Sequence, residues 1–73
     1  YDFEIFPNPT SGLFTLQSEH RIESIIITAI NGKEVMQIDS PQSVIDISNL
    51  DQGIYIIKIA IFEGLIVLKI VKH

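Results

Sequence analysis

The sequence predicts an all-β domain, a sandwich or barrel of about seven short strands. Isoleucine, together with valine, phenylalanine and tyrosine, is concentrated in short runs, and such side chains suit a pleated sheet better than a helix. Clusters of glycine, proline and asparagine separate these runs at close spacing. No segment of useful length shows the apolar period of an amphipathic helix.

The individual strands follow from the apolar runs and the turn residues between them. We predict strands at residues 3–6, 13–17, 22–30, 34–39, 43–47, 53–62 and 65–72. The predicted turns are, in chain order, Pro7-Asn8-Pro9 with Gly12, Asn31-Gly32, Ser40-Pro41, residues 49–53, and Glu63-Gly64. No internal repeat or low-complexity linker interrupts the series.

Two hairpins are predicted from the chemistry of their turns. Asn31-Gly32 supplies the two positive-φ positions of a type I′ turn, whose twist matches that of the flanking strands. Glu63-Gly64 is expected to join the last two strands in a similar way, with Gly64 in the left-handed conformation.

Alternation along the last hairpin predicts which of its side chains face the core. The inward set is Tyr55, Ile57, Ile59 and Ile61, with Ile66, Leu68 and Ile70 opposite them on the partner strand. The lysines of the hairpin are expected to project mostly into solvent: Lys58, Lys69 and Lys72. Because Lys69 and Lys72 differ in parity, at least one of them must bend away near the end of the chain.

Alternation fails at residues 25–27 and 54–57, where both faces of the strand are apolar. A small sandwich keeps one face of each sheet in water. The extra apolar residues therefore predict an outer surface covered by a neighbouring domain, by a partner, or by a second copy of the chain through the terminal strands. The alternative is that single exposed isoleucines are tolerated, and the sequence leaves both interpretations open.

Length and composition limit what the chain can be. A single domain of 73 residues buries only about 60% of the surface that its unfolded form exposes, so its stability margin is thin. The chain has no cysteine, which excludes a disulfide framework and a cysteine-ligated zinc site. Because the first residue is Tyr1 and not methionine, we expect residues 1–73 to be one domain of a longer protein.

The charge balance argues against nucleic-acid binding. The formal net charge is −4 at pH 7, and the five basic residues are spread along the chain, so they form no phosphate-neutralising stripe. No secretory signal is visible, and the longest apolar stretch, residues 54–68, is broken by Lys58, Glu63 and Gly64. We therefore predict no nucleic-acid partner and no membrane insertion.

The sequence indicates neither catalysis nor a cofactor. His20 lies in a polar stretch between strands and His73 is the last residue, and neither has a serine or carboxylate at a recognisable catalytic spacing. Residues 46–53 are rich in oxygen donors, but their spacing does not match an EF-hand. We expect Ser48 and Asn49 to cap a short turn there instead, and we predict no metal site.

The most unusual local feature is Pro7-Asn8-Pro9, which is followed by Thr10 and Ser11. The two prolines fix φ on either side of Asn8, and Pro9 also pushes Asn8 towards an extended conformation. The segment is therefore rigid and poor in backbone hydrogen-bond donors. It either simply ends the first strand or presents a shape that a partner binds without a large loss of entropy.

Four groups of residues follow one another along the chain: Phe6-Pro7-Asn8-Pro9 with Gly12-Leu13-Phe14, then residues 27–35 with Gly32-Lys33, then residues 45–55 ending in Gly53-Ile54-Tyr55, and finally Gly64 with Lys69-Ile70-Val71-Lys72. This series covers essentially the whole chain and closely resembles the C-terminal sorting domain of the type IX secretion system, the Por-type signal of Gram-negative bacteria. One position departs from the family pattern. Ala29 stands where an aspartate is common, which weakens any role assigned to the Asn31-Gly32 turn.

The resemblance implies an immunoglobulin-like antiparallel β-sandwich of about seven strands at the C-terminus of a larger exported protein. Such a domain does no catalysis. It is read by the outer-membrane translocon and then usually removed by a sortase-like peptidase, which cuts upstream of the compact domain. The cargo passes through the periplasm and ends attached to the cell surface or released.

The resemblance also implies where recognition by the translocon and sortase falls: Pro7, Asn8, Pro9, Gly12, Gly32, Lys33, Gly53, Tyr55, Gly64, Lys69 and Lys72. Two other interpretations stay open, an accessory module that binds carbohydrate or protein and a structural spacer or dimerising domain. Carbohydrate sites usually display aromatic side chains. We expect most of the six aromatic residues here to be buried: Tyr1, Phe3, Phe6, Phe14, Tyr55 and Phe62.

Overall fold

A computed structural model describes residues 3–39 and 41–73 as seven strands in two antiparallel sheets. The strands are β1 (Phe3–Phe6), β2 (Leu13–Ser18), β3 (Ile22–Ala29), β4 (Glu34–Asp39), β5 (Val44–Asp46), β6 (Gly53–Ile61) and β7 (Gly64–Lys72). Each strand lies within one residue of its predicted bounds, and the predicted all-β fold is confirmed. The predicted turn at Ser40 falls outside the described residues.

The two sheets have the strand orders β1-β2-β5 and β4-β3-β6-β7, and every neighbouring pair is antiparallel. The chain changes sheet between β2 and β3, between β4 and β5, and between β5 and β6. Three strands facing four with these crossovers form an immunoglobulin-like sandwich. As a result β7, the last strand, lies at one edge of the larger sheet beside β6.

The core lies between the sheets and is built mainly of isoleucine. Alternate residues of β6 are buried, as the two-residue period of a strand requires. The predicted inward set of the last hairpin is confirmed, because Tyr55, Ile57, Ile59 and Ile61 are buried opposite Ile70, Leu68, Ile66 and Gly64. The remaining buried apolar residues are Phe14, Leu16, Ile25, Ile27, Ile45 and Ile47.

Tyr55 fixes the crossover from β5 to β6. Its ring is buried in the core, and its hydroxyl donates a 2.7 Å hydrogen bond to the carbonyl oxygen of Asp51, four residues earlier. A tyrosine near the start of this strand that bonds back to the preceding loop is the tyrosine corner of Greek-key sandwiches. The loop before β6 is therefore held to the core by a side chain.

We expect Tyr55→Phe to lower the free energy of unfolding by about 1 kcal/mol, because the ring stays packed while the carbonyl oxygen of Asp51 loses its donor. In a domain of this size such a loss lowers Tm by roughly 4–8 °C. Thermal unfolding followed by circular dichroism measures the shift. An unchanged Tm would show that the hydroxyl does not stabilise the corner.

The β3–β4 hairpin forms where it was predicted, but its turn is not type I′. The N–H of Gly32 donates to the carbonyl of Ala29 at 2.9 Å, and the N–H of Ala29 donates to the carbonyl of Lys33 at 2.8 Å. The loop therefore has three residues, Ile30 to Gly32, and Gly32, with φ of 93°, ends it. Oδ1 of Asn31 accepts the N–H of Lys33 at 3.0 Å, a local bond that favours the wider loop.

The β6–β7 turn is shifted by one residue from the prediction. Ile61 pairs with Gly64, so the two loop residues are Phe62 and Glu63 and Gly64 already belongs to β7. The φ of Gly64 is 154°, far from the value of about 57° of the predicted left-handed conformation. Core packing explains the shift, because the inward alternation on both strands sets their register and places Ile61 opposite Gly64.

Candidate functional site

The segment that contains the two N-terminal prolines lies against the last strand of the chain. We call residues 7–10 the PNP segment; its peptide bonds Phe6-Pro7 and Asn8-Pro9 are both cis. Leaving β1, it follows the outer edge of β7 in the other sheet and makes a parallel bridge between Thr10 and Lys72. The N–H of Thr10 donates to the carbonyl of Val71 at 2.8 Å, and the N–H of His73 donates to the carbonyl of Thr10 at 2.9 Å.

The side chain of Asn8 extends this pairing by two more hydrogen bonds. Its Nδ2 donates to the carbonyl of Lys69 at 3.1 Å, and its Oδ1 accepts the N–H of Val71 at 3.0 Å. In a parallel ladder these two bonds would come from the backbone N–H and C=O of residue 8. The side-chain amide therefore takes the place of a peptide group beside β7. We call the PNP segment and residues 69–73 together the terminal clasp.

Thr10 anchors the PNP segment to the start of β2. The residue is fully buried, and its Oγ1 donates to the carbonyl of Leu13 at 2.6 Å and accepts the N–H of Gly12 at 3.1 Å. Both backbone groups of Thr10 are bonded across the clasp, so every polar group of this residue is satisfied. This role of Thr10 could not be predicted, because a buried threonine has no local signature.

Gly12 allows the chain to pass close to the loop before β6. A Cβ added at Gly12 would lie 3.0 Å from Cβ of Ser48, a contact that leaves no room for a larger residue without movement. The carbonyl of Gly12 also accepts the N–H of Ile47 at 2.7 Å. The predicted importance of this glycine therefore has a packing explanation within the domain.

The loop between β5 and β6 is held by side chains from both sides. Nζ of Lys72 donates to the carbonyl of Leu50 at 2.7 Å, while Tyr55 holds Asp51. Lys72 is thus half-buried, whereas Lys58 and Lys69 are exposed as predicted. Lys72 is the lysine that bends away, and its bond ties the clasp to this loop.

The cap of the β5–β6 loop is Asp46 and not, as predicted, Ser48 with Asn49. Oδ1 of Asp46 accepts the backbone N–H of Ser48 at 2.9 Å, and the N–H of Leu50 donates to the carbonyl of Ile47 at 3.0 Å. Hydrogen bonds from the hydroxyl and the backbone N–H of Ser48 lower the pKa of Asp46 below its ordinary 3.8. The carboxylate caps better than a hydroxyl because it accepts both donors.

Because the pKa of Asp46 is lowered in the folded state, its contribution to stability is present above the ordinary pKa of 3.8 and is lost as the pH falls through the lowered value. An NMR titration of the Asp46 carboxyl is expected to give a midpoint below 3.8. In Ser48→Ala, which removes the hydroxyl donor, the midpoint should move back up. An equal midpoint in both proteins would contradict the assigned cause.

The structure brings together seven of the eleven residues predicted to serve recognition. The terminal clasp contains Pro7, Asn8, Pro9, Lys69 and Lys72, and Gly53 pairs with Lys72 while Tyr55 pairs with Ile70. Gly12 is linked to the clasp through Thr10. Gly32 ends the β3–β4 loop and Lys33 follows it, and Gly64 lies at the far end of the β6–β7 hairpin, away from the clasp.

Other candidate chemistry is sparse in the described part of the chain. Nδ1 of His20 lies 3.3 Å from Oε2 of Glu63, and its ring stacks on Phe3 with centroids 5.8 Å apart. No group of three or more histidine, aspartate and glutamate side chains within residues 3–39 and 41–73 is placed to hold a metal ion. These same residues include no helix that is long and apolar enough to cross a membrane.

The prediction about the aromatic residues is wrong for two of them. Phe14 and Tyr55 are buried and Phe3 is half-buried, but Phe6 at the end of β1 and Phe62 in the β6–β7 turn are exposed. Phe6 shares the outward face of β1 with Glu4, and Phe62 lies in the two-residue turn, so neither side chain faces the core. Tyr1 lies outside the described residues.

One protein family matches nearly the whole chain, including both parts of the clasp. The secretion system C-terminal sorting domain, the Por-type secretion tail, matches residues 4–73. The chain belongs to this family. No curated protein matches it. The sorting domain is a type IX secretion signal, the family is not an enzyme family, and membership implies export through the secretion machinery to the cell surface or the extracellular space.

Proposed function

We propose that residues 1–73 are the C-terminal sorting domain of a longer exported protein and that the secretion machinery reads the terminal clasp. One observation carries this proposal: two motifs 61 to 63 residues apart in sequence are joined by hydrogen bonds through Asn8. Pro7, Asn8, Pro9 and Lys69 are exposed, so the joined surface is open to a partner.

The clasp suits recognition because its shape is fixed before binding. The prolines restrict φ, and the bonds to β7 remove the remaining freedom of the PNP segment. A partner that binds a preorganised surface loses less conformational entropy than one that must order a flexible tail. Gly53 and Tyr55 contribute by positioning, since they pair the start of β6 with the end of β7.

The later steps of sorting are assigned to the region before the sandwich. We infer that the protein crosses the periplasm, that a sortase-like peptidase cuts upstream of β1, and that the cargo is then attached to the surface or released. The paired strands support a cut at this place, because a peptidase needs an extended segment and the hydrogen-bonded strands from Phe3 onward do not offer one.

The experiment that tests this function joins residues 1–73 to the C-terminus of a periplasmic reporter in a host with a type IX system. We expect the reporter on the cell surface or in the medium in the wild-type host, and in the periplasm in a host that lacks the translocon. A reporter without residues 1–73 is the matched control and should stay in the periplasm. Retention of the full fusion in the periplasm of the wild-type host would contradict the proposal.

The exposed side chains of Phe6 and Phe62 favour one second candidate, an accessory module that binds carbohydrate. They lie on different elements, at the end of β1 and in the β6–β7 turn. Binding of the domain to a glycan array, lost in Phe6→Ala or Phe62→Ala, would support this candidate. An array without binding, together with export of the fusion, would exclude the carbohydrate module and support the sorting signal.

A further inference from the structure

We propose that the uncovered half of the β7 edge, at Leu65, Val67 and Lys69, receives an extended segment of the secretion machinery as an added β-strand. The segment that fits this edge is mainly apolar and carries a carboxylate beside Lys69. The inference rests on the proposed sorting function and deepens it by naming the chemistry of the partner.

The backbone hydrogen bonds of β7 show which half of its edge is uncovered. The bonds of Val71 and His73 to the PNP segment show that the odd-numbered residues of β7 turn their backbone groups away from β6. By the same alternation Leu65 and Val67 present both N–H and C=O outward, and Lys69 presents its N–H. No hydrogen bond from residues 3–39 or 41–73 reaches these five groups. The clasp therefore covers one half of the edge and leaves the other half unpaired.

The other three sheet edges carry the protections that natural sheets use against added strands. β1 has 4 residues and β5 has 3, which makes both too short for a stable addition. β4 has a register shift against β3 and bears carboxylates at Glu34 and Asp39. β7 has 9 residues, a regular register with β6 and no carboxylate. Of the four edges, β7 is therefore the one that can accept an added strand.

The side chains around the uncovered half specify the partner. On the outer face Leu65 is 60% exposed and Val67 is 57% exposed, and Lys58 stands directly across from Val67. β6 and β7 together contain three of the five basic residues and none of the nine acidic ones, although the chain as a whole has a net charge of −4. Lys72 is turned to the carbonyl of Leu50, so an incoming strand meets Lys58 and Lys69 among exposed apolar side chains.

These positions fix the pattern of the added strand. A carboxylate beside Lys69 and an apolar side chain beside Val67 would complement the outer face. On the other side of the added strand, apolar residues would cover the half-buried Ile66 and Leu68 at the rim of the core. The PNP segment occupies the edge from Lys69 onward, so it ends the added strand there and sets its register.

The test removes the outward N–H of Val67 without changing its pairing with β6. In Val67→Pro the lost N–H is one that points to solvent, a position where an edge strand tolerates proline. The matched control is Val44→Pro on β5, because Val44 is 55% exposed and its N–H also points away from its sheet neighbour, as the bonds of Ser43 and Ile47 to β2 show. Thermal unfolding establishes first that both variants fold.

We expect the Val67→Pro fusion to be exported at least about tenfold less than the wild-type fusion, and Val44→Pro to be exported normally. Lys69→Glu should lower export as well, whereas Lys69→Arg, which keeps the positive charge, should be exported normally. Arg21→Glu, which lies outside both sheets, should have no effect. If Val67→Pro does not fold, Val67→Asp and Val44→Asp replace the pair, since a carboxylate at Val67 would face an apolar side chain of the added strand while both positions are exposed.

Three outcomes would overturn the inference. They are normal export of the folded Val67 variants, equal loss in the Val44 variants, and a dimer of the free domain that Val67→Pro dissociates, which would assign the edge to a second copy of the chain. The first two assume that the wild-type fusion is exported. A wild-type fusion that stays in the periplasm is instead a failure of the proposed sorting function, so the two failures are distinguishable.

Discussion

Replacing Ile57 with alanine is expected to lower the free energy of unfolding by about 2–5 kcal/mol, because the side chain is fully buried and its loss leaves a cavity. Ile57 lies at the centre of β6, paired with Ile27 on one side and Leu68 on the other. A domain of this length has a total stability of roughly 4–11 kcal/mol, so the variant loses a large part of it. Denaturation in urea, followed by circular dichroism, measures the loss.

The control for Ile57→Ala is Val67→Ala in the same sheet. Val67 is exposed on the outer face, so its truncation leaves no cavity and should cost less than about 1 kcal/mol. Similar stability of the two variants would contradict the assignment of Ile57 to a tightly packed core. Without disulfides, this core is the main source of stability available to the domain.

Asn8→Ala is expected to open the terminal clasp. The variant loses both side-chain bonds to β7, which together contribute roughly 1–3 kcal/mol to stability. If the machinery reads the clasp, export of the reporter fusion should fall by about tenfold or more, the effect of losing 1.4 kcal/mol of binding energy. Cell fractionation measures the export, and thermal unfolding of the free domain measures the stability.

Asn49→Ala is the matched control for Asn8→Ala. Asn49 is also exposed but makes no side-chain hydrogen bond with the described residues, so its replacement should change neither stability nor export. Asn8→Asp keeps the acceptor for Val71 but sets a carboxylate oxygen against the carbonyl of Lys69 in place of the donor, so it should also lower stability. Normal export of a folded Asn8→Ala fusion would show that the machinery reads another surface.

The strands and their inward faces could be predicted from the sequence because both depend on local patterns. Apolar alternation from Tyr55 to Ile61 identifies the buried face of β6, and glycine and asparagine mark where strands end. The turn types were harder to predict from the sequence. In both hairpins the predicted residues lie in or beside the turn, but side-chain bonding at Asn31 favours a loop one residue longer, and core register at Ile61 shifts the other loop by one residue.

The clasp could not be predicted from local patterns. The sequence showed that the PNP segment is rigid and that Lys69 and Lys72 close the chain, yet nothing near either motif indicates that Asn8 bonds to the backbone of β7. That contact depends on which strands form the sheet edges, and therefore on the whole topology. For the same reason the role of Asp46 as a cap and the exposure of Phe6 and Phe62 became clear only in three dimensions.

The PNP segment and the end of β7 form one structure and leave half of the last strand free to pair. Amide hydrogen exchange of the free domain, read by NMR along β7, tests this claim most directly. We predict slow exchange at Val71, whose N–H bonds to Asn8, and fast exchange at Leu65, Val67 and Lys69, whose N–H groups have no partner among the described residues. Asn8→Ala should abolish the protection at Val71. Exchange at Val71 as fast as at Val67 in the wild-type domain would contradict the claim.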